Sequence, residues 1–86
     1  MVWIERAEVV AGFVVRVAFS TGEVLDVDLR DELHGEVFAP VREPGGFALL
    51  RVDPDAETIS WPNGADLAPE MLYDLAKRQQ ASRSTG

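Results

Sequence analysis

Residues 59 to 73, Ile-Ser-Trp-Pro-Asn-Gly-Ala-Asp-Leu-Ala-Pro-Glu-Met-Leu-Tyr, write a strand end, a forced turn and a helix start in succession. Ile59 and Trp61 are two apart and share one face of an extended chain, and Pro62, which has no N–H to give, ends the ladder. Asn63-Gly64 is the pair most tolerant of positive φ, so the chain bends sharply there. Asp66 is expected to cap the helix or form an Asx turn. Pro69 suits the first helical turn, where a missing N–H costs nothing, and Glu70 beside it opposes the positive end of the helix dipole. With Pro69 first in the helix, Leu67 and Leu72 hold the two positions of a hydrophobic staple. Met71, Leu72, Leu75 and Ala76 continue the apolar stripe at helical spacing.

Upstream the period changes to two. Trp3 to Val10 reads as a strand and Ala11-Gly12 as a reversal, after which Phe13, Val15, Val17 and Phe19 alternate with Val14, Arg16 and Ala18. A turn at Ser20 to Glu23 leads to Val24–Leu29, where Leu25, Val27 and Leu29 point one way and Asp26 and Asp28 the other. These three segments predict an antiparallel meander with one wet face. Gly35, Pro40, Pro44 and Gly45-Gly46 forbid a long regular element between 30 and 48, so short helical turns are expected near 31–33 and 37–42, tucking Leu33, Phe38 and Val41 under the sheet. Leu49 to Val52 and Thr58 to Trp61 read as a hairpin around Asp53-Pro54-Asp55-Ala56, and the helix is expected over Pro69 to Gln79. The fold class is therefore α+β: a small, twisted antiparallel sheet of about five strands, meander plus hairpin, with a C-terminal helix packed on one face. Phe13, Val15, Val17, Phe19, Leu25, Val27, Ile59, Trp61, Leu72 and Leu75 should line the core. Residues 1–80 form the single domain and 81–86 a flexible tail.

A chain of 86 residues buries only about 60 to 65% of its unfolded surface, so the core must be economical, and its seven aromatics supply much of it. The absence of cysteine removes disulfides and thiolate chemistry, consistent with a reducing cytoplasm. No segment approaches the roughly 20 apolar residues of a membrane span. Net charge is −7, and residues 1–76 hold all 15 acids against five arginines, about −10 before Lys77, Arg78 and Arg83. Such a surface repels phosphate backbones and attracts a basic protein, so direct nucleic-acid binding is not expected.

The chemistry-bearing patterns are sparse. Asp53-x-Asp55-x-Glu57 opens like a calcium loop, but Thr58 stands where that loop needs glycine and Gly64 where it needs a bidentate glutamate. His34, the single histidine, has Asp31, Glu32 and Glu36 nearby and is the one candidate general base or metal ligand, though a lone exposed or capping histidine is the better account of it. Asp26 and Asp28 share a face as paired carboxylates would, yet the alternation describes a solvated strand face. There is no Gly-x-Ser-x-Gly and no phosphate-binding glycine loop. No catalytic residue, cofactor site or metal site is therefore assigned. The residues singled out as structural or interacting are Trp61, Pro62, Asn63, Gly64, Asp66 and Pro69.

Taken together, Phe19-Ser20-Thr21-Gly22-Glu23, the strand ending Val27-Asp28-Leu29, the segment Val37-Phe38-Ala39-Pro40-Val41 and the block from Ile59 through Pro69 to Leu72-Tyr73 resemble a bacterial family catalogued as domain of unknown function 2442. The resemblance spans roughly residues 3 to 76. It implies a small α+β domain without established catalytic residues, in some members joined to a helix-turn-helix segment and in others one half of a two-gene pair like a toxin–antitoxin operon. This chain ends soon after the helix and is expected to lack the DNA-binding extension. The expectation is a non-catalytic protein-binding module, an accessory or antitoxin-like partner of a neighbouring gene product. The alternatives are a ligand binder or enzyme built on His34, and a component of a transcriptional regulator system without its own DNA-binding segment. A homodimer through a free sheet edge is a further expectation.

Overall fold

The computed structural model describes residues 1–84 of the chain. The order is β1 (Ile4–Ala11), β2 (Val14–Phe19), β3 (Val24–Asp28), 3-10 turns at Arg30–Glu32 and Glu36–Phe38, α1 (Ala39–Arg42), a 3-10 turn at Phe47–Leu49, β4 (Arg51–Asp53), β5 (Thr58–Ser60) and α2 (Pro69–Ser84). β1, β2 and β3 form an antiparallel meander, and β4 and β5 a separate hairpin. The protein is thus a small α+β fold, its five strands divided three and two. The two sheets meet where Ile4 N–H donates to the Glu57 carbonyl at 2.9 Å. Glu57 has φ +57°, a left-handed conformation for a non-glycine residue, and its N–H donates to the Asp53 carbonyl at 2.7 Å to close the β4–β5 turn.

Alternation decides what is buried. Val15, Val17 and Phe19 from β2, Leu25 and Val27 from β3, and Leu29 after it are buried together with Ile59, Trp61, Leu72 and Leu75. Leu33, Phe38 and Val41 close the core from the irregular segment, as their spacing requires. Phe13 departs from expectation: it stands in the turn before β2 and is half-buried, edge-on to Phe47 at 5.1 Å and under the Arg30 guanidinium. Leu49 also leaves its expected strand. It belongs to the 3-10 turn ahead of β4 and is 59% exposed.

α2 opens at Pro69, with the Ala68 carbonyl accepting from Leu72 N–H at 3.1 Å. Leu67 and Leu72 are both buried, as a staple requires. The helix runs past its expected end at Gln79 to Ser84, taking in residues 81–84 of the tail expected to be flexible. The rest of that tail, 85–86, lies outside the described residues. The continuation has a tether, since Gln79 Oε1 accepts from Asp28 N–H at 2.8 Å and Gln79 Nε2 donates to the Asp28 carbonyl at 2.9 Å. One carboxamide thereby satisfies both peptide groups that Asp28 turns away from β2. No helix among the described residues is long and apolar enough to cross a membrane.

Candidate functional site

The 61–66 block is a tight connection behind β5. Gly64 N–H donates to the Trp61 carbonyl and Trp61 N–H to the Ala65 carbonyl, both at 2.9 Å, and Ser60 and Asp66 form an antiparallel bridge. Gly64 has φ +91°, the left-handed residue that such short loops place after the turn. Asn63 is spared that conformation. Its side chain works instead, with Nδ2 donating to the Val37 carbonyl at 2.7 Å and Oδ1 accepting from Ala65 N–H at 3.3 Å. The Asx role expected of Asp66 therefore falls to Asn63. Asp66 is exposed and its carboxylate caps nothing among the described residues, because the helix begins three residues later, behind Ala68.

Trp61 is the anchor of the block. It is 2% exposed, its indole Nε1–H donates to the Phe47 carbonyl at 3.1 Å, and its ring lies 5.9 Å from those of both Phe38 and Phe47. Above it opens a shallow apolar cleft of about 110 Å³, lined by Pro40, Val41, Gly46, Leu49, Pro62 and Asn63. Leu49 and Val37 are large exposed apolar side chains on this side of the molecule, and Glu36 and Glu43 are exposed at either end of the segment that carries Pro40. The site residues singled out in sequence are thus brought together as far as Asn63. Gly64, Asp66 and Pro69 shape the backbone behind the cleft and do not line it.

Gly64→Ala is expected to lower stability by at least about 1 kcal/mol through backbone strain alone, since a Cβ there meets nothing within 4 Å. Asp66→Ala should be near neutral. Thermal melting of both variants checks the pair, and a large loss in Asp66→Ala would restore the capping role.

The other candidates have structural duties. His34 is exposed, and the Arg42 guanidinium donates to the Leu33 and Gly35 carbonyls on either side of it. No cluster of histidine and carboxylates that could hold a metal forms among the described residues. Asp26 takes both arms of Arg16, at 2.9 and 3.3 Å, while Asp28 Oδ1 accepts from Arg30 N–H at 2.9 Å. Asp53 Oδ1 accepts from Asp55 and Ala56 N–H at 2.8 and 3.3 Å, an Asx turn instead of a calcium loop.

Sequence reading missed a polar cluster around Glu23. Its carboxylate accepts from Tyr73 O–H at 2.6 Å, Lys77 Nζ at 2.8 Å and Thr21 Oγ1 at 3.0 Å. The only sequence signal is that Tyr73 and Lys77 are one helical turn apart on α2. The Lys77 bond first, then those from Tyr73 and Thr21, hold the Glu23 carboxyl down from 4.5 to about 2, and the same carboxylate raises Tyr73 and Lys77. A lowered carboxyl pKa contributes stability that is complete above the unfolded value and lost as pH falls through the folded one. Acid titration from pH 4.5 toward 2 should therefore narrow the stability gap between wild type and Glu23→Gln. A gap that stays constant across that window would show that the cluster does not tie α2 to the meander.

These features can be set beside known proteins. Residues 4–78 match the family model described as protein of unknown function, DUF2442. The chain belongs to that family. Its fold also matches a crystal structure from Nitrosomonas europaea named "Putative DNA Binding Protein", with a TM-score of 0.82 and 28% identity over 94% of this chain. The match covers 52% of the Nitrosomonas chain, so this DUF2442 protein spans about half its length. No curated protein matches.

Proposed function

We propose that this DUF2442 chain is a non-catalytic protein-binding module, an accessory or antitoxin-like partner that recognises a basic protein surface beside the Trp61 cleft. The carrying observation is how the cations are used. Arg16 pairs with Asp26 at 2.9 Å, Lys77 with Glu23 at 2.8 Å and Arg78 with Asp74 at 3.0 Å. Arg42 is turned onto carbonyls and Arg30 onto the Phe13 ring. The acids greatly outnumber what these pairs consume, so the outward field is negative. An apolar cleft built partly from the segment on which Glu36 and Glu43 are exposed suits a basic segment carrying one apolar anchor.

The DNA-binding name of the Nitrosomonas protein belongs to a chain of which only about half is matched, and the acidic surface here disfavours phosphate contact. We place any DNA contact of such longer relatives in the part this chain does not match.

The test is co-purification with the products of neighbouring genes. A complex that forms at low salt, weakens as salt rises, and is lost in a Glu36→Lys/Glu43→Lys variant of unchanged melting temperature is expected. Failure to associate at low salt with every neighbour tried would remove the reading, as would retardation of duplex DNA by this chain alone.

A further inference from the structure

The hydrogen-bond parity of the meander identifies an unpaired stretch of sheet edge. Phe19 N–H donates to the Glu23 carbonyl and Leu29 N–H to the Phe13 carbonyl, so odd-numbered residues of β2 turn their peptide groups toward β3. Arg16 and Ala18 then turn theirs toward β1, where they face Glu8 and Arg6. Ala7 and Val9 are left with N–H and C=O directed away from the sheet, and none of these groups has a partner among the described residues. Ile4 N–H points the same way but is taken by Glu57, while Gln79 blunts the opposite edge at Asp28. The stretch of edge with unpaired peptide groups is therefore Arg6 to Val9, between the register shifts at Glu5 and Val10, with the β4–β5 hairpin packed against β1.

The side chains of that stretch choose the occupant. Arg6 and Glu8 flank Ala7 on the outer face of the sheet, both are exposed, and Arg6 is in no ion pair among the described residues. A groove of about 480 Å³ runs along them, bordered by Arg16 and by Val52 of the hairpin. We propose that a second copy of this chain adds here, β1 antiparallel to β1, with the two-fold axis at Ala7. Ala7 then exchanges two peptide hydrogen bonds with its own counterpart. Arg6 of each copy faces Glu8 of the other, so the arginine left unpaired in one chain gains a carboxylate on each side of the axis. Moving the axis to Glu8 would set two glutamates directly opposite, which selects the Ala7 register. This inference stands apart from the basic-partner reading, because the edge and the Trp61 cleft share no lining residue.

The test is sedimentation equilibrium from micromolar to millimolar protein, at about 0.15 M salt so that repulsion between two acidic copies is screened beyond about 8 Å. Wild type should approach twice 9.4 kDa at the upper end. Arg6→Glu and Glu8→Arg should each return it to monomer, and the two together should recover the dimer. Ala7→Pro, which removes an N–H facing away from β2, should also give a monomer; circular dichroism identifies any variant that has lost its fold, and the charge variants decide if the proline one has. Wild type that stays monomeric throughout overturns the proposal, as does a dimer indifferent to both single charge reversals, or a combined reversal that stays monomeric while folded.

Discussion

Gly46→Ala is expected to destabilise the domain by more than its neighbour Gly45→Ala, although Gly46 has an ordinary φ near −70° and Gly45 a left-handed one of +83°. The difference is space. A Cβ on Gly46 would run into the Pro40 carbonyl oxygen and stand 3.1 Å from its carbon and 3.2 Å from the Glu43 oxygen, all backbone atoms that cannot rotate aside. Gly46 N–H also donates to that Glu43 carbonyl at 2.8 Å, so relief by backbone movement would break a bond. Around Gly45 the space is open, and only strain of at least about 1 kcal/mol applies. For Gly46→Ala the loss should reach or pass the upper end of the ~1–3 kcal/mol usual for overpacking. A small domain with about 5–15 kcal/mol in hand would feel that as a large fall in melting temperature. Equal melting temperatures for the two variants would mean that the chain does not approach itself so closely at Pro40.

How much of this could be read from the residues depends on the range of the interaction. The meander was legible because alternation is local: Val15, Val17 and Phe19 are inside, as are Leu25 and Val27. Pro69 at the start of α2 was legible for the same reason. Leu49 was misplaced into a strand because its N–H is taken by the Gly46 carbonyl at 3.1 Å in a 3-10 turn, and a run of apolar residues as short as 47–50 does not distinguish that turn from a strand. Asp66 was given a capping role by residue type, yet its bridge to Ser60 holds it in the hairpin while Asn63 reaches the free groups. Phe13 fitted the alternation but falls one residue outside the ladder. The Glu23 cluster and the Gln79 carboxamide on Asp28 join residues about fifty positions apart. Each is an ordinary polar residue until α2 is laid along β3. The candidate cleft was half legible, since Trp61 and Pro62 announce themselves, whereas Leu49 and Pro40 reach it only through the fold.

Trp61→Ala should be the most damaging single truncation in the chain, at ~3–5 kcal/mol, the range for removing a buried large aromatic residue. Three losses coincide at that position. The ring contacts with Phe38 and Phe47 disappear, the floor of the cleft opens into a cavity, and the Phe47 carbonyl loses one of its two donors, keeping only Leu50 N–H. Trp61→Phe separates these effects. It keeps an aromatic ring but removes one of the two hydrogen bonds to the Phe47 carbonyl, which still accepts from Leu50 N–H at 3.2 Å, a net loss of about 0.5–1.5 kcal/mol for the bond. Urea unfolding of wild type and both variants should therefore rank them wild type, phenylalanine, alanine, with similar dependence on denaturant if the unfolded state is unchanged. The same variants bear on recognition. If Trp61 serves only as the floor, Trp61→Phe bound to a partner should lose affinity no further than its lowered folded fraction explains. If affinity falls well beyond that while most of the protein remains folded, the indole takes part in recognition directly, and the cleft is a binding surface whose shape depends on the whole Trp61 side chain. A phenylalanine variant as stable as wild type would instead show that the indole hydrogen bond adds nothing to the one the Phe47 carbonyl accepts from Leu50 N–H.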